Sequence, residues 1–392
     1  MPAGRAYLPS RPAGTPVNRS TASAATVTGL RPASNGRPGG TVLVARSDSA
    51  GDVLLAGPAV RAIAAGSREV VMLTGPHGAA AAGMLPGVDR VIEWRAPWID
   101  PDPLPLTRPQ VERLACLVSR IAPDLAVIFT SFHQSSLPLA LLLRMAGVRQ
   151  IAAISEDYPG SLLDVRHIVD ETVDVPEPER MLALARAAGF DLPPGDRGHL
   201  AVRRPLPPVE HLTGPPGYVV VHPGTSAPAR AWPPALHARA VREMALAGAR
   251  VVVTGDPDER ALTAQVAGGH GIDLGGVTTL PELAAVLDGA AAAVAGDTGP
   301  AQLAAAVGTP VVSLFAPVVP AARWAPYRVP AVVLGDQHAP CRGTGARVCP
   351  VAGHPCLSSV TPELVAATVL RLAGSAGPRA TTAAPGVKEG SR

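Results

Sequence analysis

The chain has 392 residues, 47% of them apolar and 17% charged, with a formal net charge of +3. That length predicts two domains, and the apolar fraction is ample for two cores. A charge this close to balance excludes a broad basic face for nucleic acid. No run of eighteen apolar residues marks a membrane span, so membrane contact is peripheral at most.

Residues 1–40 are rich in Pro, Ser, Thr, Gly and Arg and hold no apolar run long enough for a signal-peptide core. They predict a disordered extension on a cytoplasmic chain, whose four cysteines are not expected to form stable disulfides. The ordered chain starts with the strand Thr41-Val-Leu-Val-Ala-Arg46, followed by the loop Ser47–Asp52. Helices are predicted over 53–65, 111–121, 137–145 and 177–188, with strands over 69–73, 87–93, 124–130 and 150–154. Strands alternating with helices predict a doubly wound α/β domain over 41–202. Residues 203–217 are the most Pro-rich internal stretch and predict an interdomain linker. A second α/β series, 218–373, has strands at 218–222, 250–254, 271–274, 290–295 and 311–315. Its helices are predicted over 234–247, 258–267, 280–288 and 301–307, with a closing helix over 361–372. Residues 374–392 predict a disordered tail.

In doubly wound sheets, ligands sit beyond the carboxyl ends of the strands. Four loops fall there: Ser47–Asp52, His222–Trp232, Gly255–Glu259 and Gly296–Pro300. In the last, an acid, a hydroxyl and a glycine precede a helix of small residues. Free backbone N–H groups and the helix dipole favour an anion there. Asp297 or Thr298 could equally be a helix cap. Asp52 caps the helix after it or faces a ligand, and Gly51 before it permits close approach. Thr225 and Ser226 follow a strand and a Pro-Gly turn, and their hydroxyls suit a phosphate or a simple turn. Arg230 is the local cation, and its guanidinium can bind two phosphate oxygens in a fork. Trp232 reads as packing. Asp256 and Glu259 read as loop acids, with the nucleoside as the other possibility.

These stretches resemble glycosyltransferase family 9, the ADP-heptose:lipopolysaccharide heptosyltransferases. The resemblance rests on Val42–Arg61 with its Gly51-Asp-Val, His222-Pro-Gly-Thr-Ser226, Arg230-Ala-Trp-Pro233 and Gly255–Glu259. It continues in Gly296-Asp-Thr-Gly-Pro300, Leu314-Phe-Ala-Pro317 and Arg323-Trp-Ala-Pro326. It implies a GT-B fold, two Rossmann-like domains facing a central cleft. It also implies an inverting, metal-independent transfer of a heptose or related sugar. The donor would be a nucleotide diphosphate such as ADP-heptose, and the acceptor a hydroxyl of a glycan or small molecule. No cofactor is implied beyond the nucleotide-sugar co-substrate. Asp52 becomes the general base, with Ser49 and Gly51 on the acceptor-side loop and Asp48 as the alternative base. Arg230 takes the place of the family's diphosphate-binding lysine. Thr225, Ser226, Thr298 and Gly299 go to donor phosphates and Asp297 to sugar hydroxyls. Gln302 stands where the family usually has histidine, within reach of the same cleft. An epimerase of the same fold and a catalytically silent nucleotide-sugar binder are the alternatives.

Cys341, Cys349, Cys356 and His354 make a chemically complete zinc set but lack a Cys-X-X-Cys knuckle. Structural zinc and free thiols both remain open. Cys116 reads as a core residue on an apolar helix face.

Overall fold

The computed structural model describes residues 39–375. The predicted disordered ends therefore lie outside the described residues, except Gly39, Gly40, Gly374 and Ser375. The last two continue the closing helix, Pro362–Ser375, where a tail was expected.

The chain forms two parallel six-stranded sheets. The first holds β1 (Thr41–Ala45), β2 (Glu69–Thr74), β3 (Arg90–Glu93), β4 (Leu125–Ile128), β5 (Ile151–Ile154) and β6 (Val165–His167). The second holds β7 (Tyr218–His222), β8 (Val251–Gly255), β9 (Ile272–Gly275), β10 (Ala290–Gly296), β11 (Val311–Leu314) and β12 (Ala331–Leu334). The orders are β3-β2-β1-β4-β5-β6 and β12-β11-β10-β7-β8-β9. These are one topology used twice, the classical dinucleotide-binding order. The central strands are buried along their whole length, as covering a parallel sheet on both faces requires. That is why they read as unbroken Val, Ala, Leu and Ile runs.

In this topology the direction of winding reverses between β1 and β4, and again between β7 and β10. The crevice at each reversal lies beyond the strand ends. Both reversals face the same cleft. The helices Ala50–Leu55 and Gly299–Val307, which follow β1 and β10, pack on one another across it. One apolar cluster runs from Val53, Leu54 and Leu55 through Leu303 and Val307 into both sheets.

Several elements differ from expectation. The helix expected over 53–65 is two helices, Ala50–Leu55 and Gly57–Gly66, turning at Ala56. Pro58 starts the second, where its missing N–H costs nothing. The strands β6 and β12 and the helix Ala79–Met84 were not anticipated. Both strands are short edge strands with half-exposed residues, which leaves little apolar pattern to read. Cys116 is exposed, not core, because Leu114, Val118 and Ile121 make the buried face of its helix. The Pro-rich stretch contains a short helix, Glu210–Thr213, and Arg204 in it pairs with Asp288 at 2.7 Å.

Candidate active site

The first lip of the cleft is built on Arg46, the residue that follows β1. Its side chain is fully buried and pairs with Asp48 at 2.9 Å and Asp52 at 3.0 Å. The same Nη2 donates to Ser131 Oγ at 2.8 Å, from the loop after β4. Ser131 Oγ in turn donates to Asp48 Oδ2 at 3.0 Å. Ser49, not Asp52, caps the helix Ala50–Leu55. Its hydroxyl donates to Asp52 Oδ2 at 2.7 Å, so Asp52 is held in the first turn by Ser49 and Arg46 together.

The two carboxylates differ in environment. Asp48 has 8% of its side chain exposed and Asp52 has 20%, so Asp52 is the one a ligand can reach. Burial pushes the Asp48 carboxyl above the usual range, against the pull of Arg46. His133, on the loop after β4, is pushed below the ordinary imidazole value by burial. Asp48 and Asp52 oppose that shift, and Arg46 and Arg230 add to it. His133 also walls a cavity of about 300 Å³ together with Phe132, Ser135, Glu156, Glu171 and Arg180.

The second lip carries Arg230 and Asp297. Arg230 Nη1 lies 3.0 Å from Asp297 Oδ2, with side-chain exposures of 28% and 6%. The approach is an ion pair by distance but not a hydrogen bond by direction, since Oδ2 has no aligned donor and Arg230 Nε has no acceptor. Burial raises the Asp297 carboxyl to about 6, Arg230 opposes the shift, and Asp52 across the cleft adds to it. Thr298 is the N-cap of Gly299–Val307 but makes no side-chain capping bond; Pro300 has no N–H and Ala301 N donates to Thr298 O at 3.1 Å, so the N–H of Gly299 is the one this turn leaves open. Thr225 Oγ1 donates to Ala227 O at 3.0 Å, which shapes its loop against Gly296. The Ser226 carbonyl accepts from Arg347.

The two lips touch. A Cβ on Gly51 would sit 3.1 Å from Gly299 Cα. The neighbour that needs glycine at 51 is thus the backbone of the opposite helix. Gln302 is buried on that helix, and its Nε2 donates to Trp324 O at 2.6 Å while its Oε1 has no protein partner. Its amide is committed to the Trp324 segment.

Other expected residues lie further out. Asp256 caps a turn in which Glu259 Oε2 accepts from the Asp256 N–H at 2.9 Å. Glu259 also packs on Gly224, beneath the phosphate-type loop. Trp232 is buried and donates to Val360 O at 3.2 Å, which is packing. Cys341, Cys349 and Cys356 lie close enough to influence one another, and burial pushes the Cys356 thiol up to about 11. Among the described residues, no group of three His, Cys, Asp or Glu is arranged to hold a metal ion. The segment has another use: Ala229 N donates to Arg347 O at 2.9 Å and His354 Nε2 lies 3.0 Å from Ala229 O, which braces the Arg230 loop.

Arg46, Ser131, His133 and Arg323 were given no role from the sequence. A charged residue straight after the fully apolar run of β1 was the available signal for Arg46. The polar run 130–136 after β4 was the signal for the next two.

Two like-wound sheets meeting at their reversal points, with a carboxylate on one lip and an arginine and the Gly299 N–H on the other, define a GT-B protein. The family model described as glycosyltransferase family 9 (heptosyltransferase) matches residues 132–352. The chain belongs to that family. The match begins after the Arg46–Asp52 loop, so that lip rests on its own geometry.

Among curated proteins, lipopolysaccharide heptosyltransferase 3 of Escherichia coli is 30% identical over 155 residues. The aligned part is 38% of this chain and 44% of that relative, so less than half of the curated relative is spanned. Among solved structures, E. coli ADP-heptose lipopolysaccharide heptosyltransferase II aligns with a TM-score of 0.66 at 17% identity, covering 86% of this chain and 99% of that one. A family 9 glycosyltransferase from Veillonella parvula gives 0.67 at 15% identity, over 86% and 97%. An E. coli heptosyltransferase solved with ADP gives 0.61 at 20%, over 86% and 99%. At these identities the structures establish the GT-B fold, and the family match favours a transferase over an epimerase. No helix among the described residues is long and apolar enough to cross a membrane.

Proposed function

We propose that this chain transfers a heptose or related sugar, with inversion and without a metal ion, from a nucleotide diphosphate donor to an acceptor hydroxyl. ADP-heptose is the first donor to try, and the acceptor is a glycan or small molecule. The observation that carries the reading is the contact of Gly51 with Gly299, which brings the Asp52 lip against the lip holding Arg230 and Asp297.

Asp52 takes the acceptor hydroxyl proton as the oxygen attacks the anomeric carbon. The bond to the diphosphate breaks on the opposite face. The charge developing on the leaving phosphate is met by Arg230, by the Gly299 N–H that opens Gly299–Val307, and by the hydroxyls of Thr225, Ser226 and Thr298. Ser49 and Arg46 hold Asp52 on its loop. Asp297 is suited to sugar hydroxyls, and Gln302 supports the donor helix from behind. The donor cleft calls for no cofactor beyond the nucleotide sugar itself.

The test is product analysis with ADP-heptose and a panel of hydroxylated acceptors in the presence of EDTA. Acceptor-dependent release of ADP, with inverted configuration at the new linkage, is expected. An isomerised sugar nucleotide formed from donor alone, or retention of configuration, would overturn the reading.

A further inference from the structure

The short helix Ala321–Trp324 belongs to the second domain, yet the side chain it presents is buried in the first. Arg323 is 1% exposed. Its Nε donates to Asp174 Oδ1 at 2.7 Å and its Nη1 to Glu171 Oε2 at 2.9 Å. Its Nη2 donates to the carbonyls of Glu171 (2.9 Å) and Val173 (3.2 Å). The guanidinium lies over the Phe132 ring, 4.5 Å from its centroid. All of these partners come from the first domain.

The contact leads back to the catalytic lip. Arg180 shares Glu171 with Arg323, at 2.6 Å, and also donates to Thr130 O, next to Ser131. Glu177 is wholly buried and its carboxylate oxygens have no hydrogen-bond partner. It lies 3.8 Å from both Arg180 and Arg323, and it is also attracted to Arg46, the residue that holds Asp52. Two charges close to Glu177 come from its own domain and one comes from across the cleft. Withdrawing Arg323 leaves Glu171, Asp174 and Glu177 under-neutralised. Arg180 then has Glu171 and Glu177 to itself, which shifts its hold on Thr130 O beside Ser131, the residue whose Oγ accepts from Arg46. The withdrawal also uncovers Phe132, which walls the 300 Å³ cavity beside His133. Arg323 is seated by the donor helix itself, because Gln302 Nε2 holds the carbonyl of Trp324.

We propose that Arg323 is a positioning residue that the donor domain inserts into the acceptor domain when the cleft closes, and that it sets the Arg46–Asp52 pair for proton transfer by balancing the Glu171–Asp174–Glu177 carboxylates. This deepens the transferase reading and rests on it for the role of Asp52.

The test compares the full chain with Arg323→Met, which keeps side-chain length over Phe132 but removes the charge, and with Arg323→Lys. Small-angle X-ray scattering reads closure, calorimetry with ADP reads the donor site, and hydrolysis of ADP-heptose by water reads turnover. For Arg323→Met a larger radius of gyration is expected, with ADP affinity within about threefold of wild type and turnover lower by about 10²-fold at similar donor KM. Arg323→Lys should recover part of both the compactness and the turnover. Scattering and turnover unchanged in Arg323→Met would overturn the proposal. So would an equal fall in ADP affinity and melting temperature that Lys does not rescue, since that marks a purely structural residue. If wild type itself binds neither ADP nor any other nucleoside diphosphate, the transferase reading fails, and scattering still decides the closure.

Discussion

The two lips of the cleft use the same chemistry, arginine against carboxylate, to opposite ends. On the first lip, one buried arginine serves Asp48, Asp52 and Ser131, and Ser49 completes the hold on Asp52. On the second, Arg230 and Asp297 approach without aligning, Arg230 Nε lacks an acceptor, and the guanidinium is over a quarter exposed. Both arginines keep buried nitrogens without an acceptor, Nε and Nη1 of Arg46 and Nε of Arg230, but both oxygens of Asp52 are hydrogen-bonded whereas Asp297 Oδ2 is not. A base proposed at Asp52 would have to be oriented before substrate arrives, and its carboxylate is held on both sides. A cation meant for a diphosphate must keep bonding capacity in reserve. The difference teaches that how firmly the carboxylate is held, not the residue types, separates the two lips, as the roles proposed for Asp52 and Arg230 require.

The comparison breaks most clearly at Asp52. Asp52→Asn should lower transfer by about 10²–10⁴-fold and leave ADP affinity nearly unchanged. Near-normal turnover, measured as ADP release, would show that the first lip is structural only.

Next in size is Arg46. Arg46→Met leaves Asp48 buried without its cation and removes the Arg46 hold on Asp52, and losing one member of such a group costs about 3–5 kcal/mol. Chemical denaturation should show a loss of that order. A variant as stable as wild type would mean that the carboxylates find other partners.

Arg230→Ala should cost ADP binding about 1.5–3 kcal/mol, the usual range for a hydrogen bond to a charged group. Global stability should change far less than for Arg46→Met, and Arg230→Lys should restore part of the affinity. Titration calorimetry with ADP checks this. Unchanged affinity would place the diphosphate cation elsewhere.

The smallest effect is a pH dependence. The Asp297 carboxyl is raised by burial from 3.8 to about 6 in the folded chain. Between those values the folded chain keeps a proton that the unfolded chain has released. Stability from this group is therefore full below about pH 4 and is lost as pH rises to about 6, by on the order of 1–3 kcal/mol. Asp297→Asn should remove that decline. Melting temperatures across this pH range would settle the matter, and an unaltered profile would show that Arg230 already compensates the charge.

Much of the fold was legible because its signals are local. Apolar runs such as Tyr218–His222 and helix ends such as Gly308 lie within a few residues of the feature they mark. The four loops beyond the strand ends were legible for the same reason, and with them Asp52, Arg230 and Asp297. The short edge strands β6 and β12 were not, since half-exposed strands of three or four residues carry no decisive pattern. The orientation of Cys116 was missed because its helix is apolar on one face and the register of that face was misjudged.

What the sequence by itself determined is the alternation of strands and helices, and hence two doubly wound sheets with polar loops at their reversal points. Which atoms meet was decided only by the tertiary structure. Arg46 and Ser131 are 85 positions apart and Arg323 and Glu171 are 152 apart. Gly51 needs its missing side chain because of Gly299, and Gln302 is committed to Trp324. The physical reason is range. Periodicity and capping fix backbone conformation over one or two turns, whereas a charge finds its partner only after two sheets have packed and the cleft between them has closed.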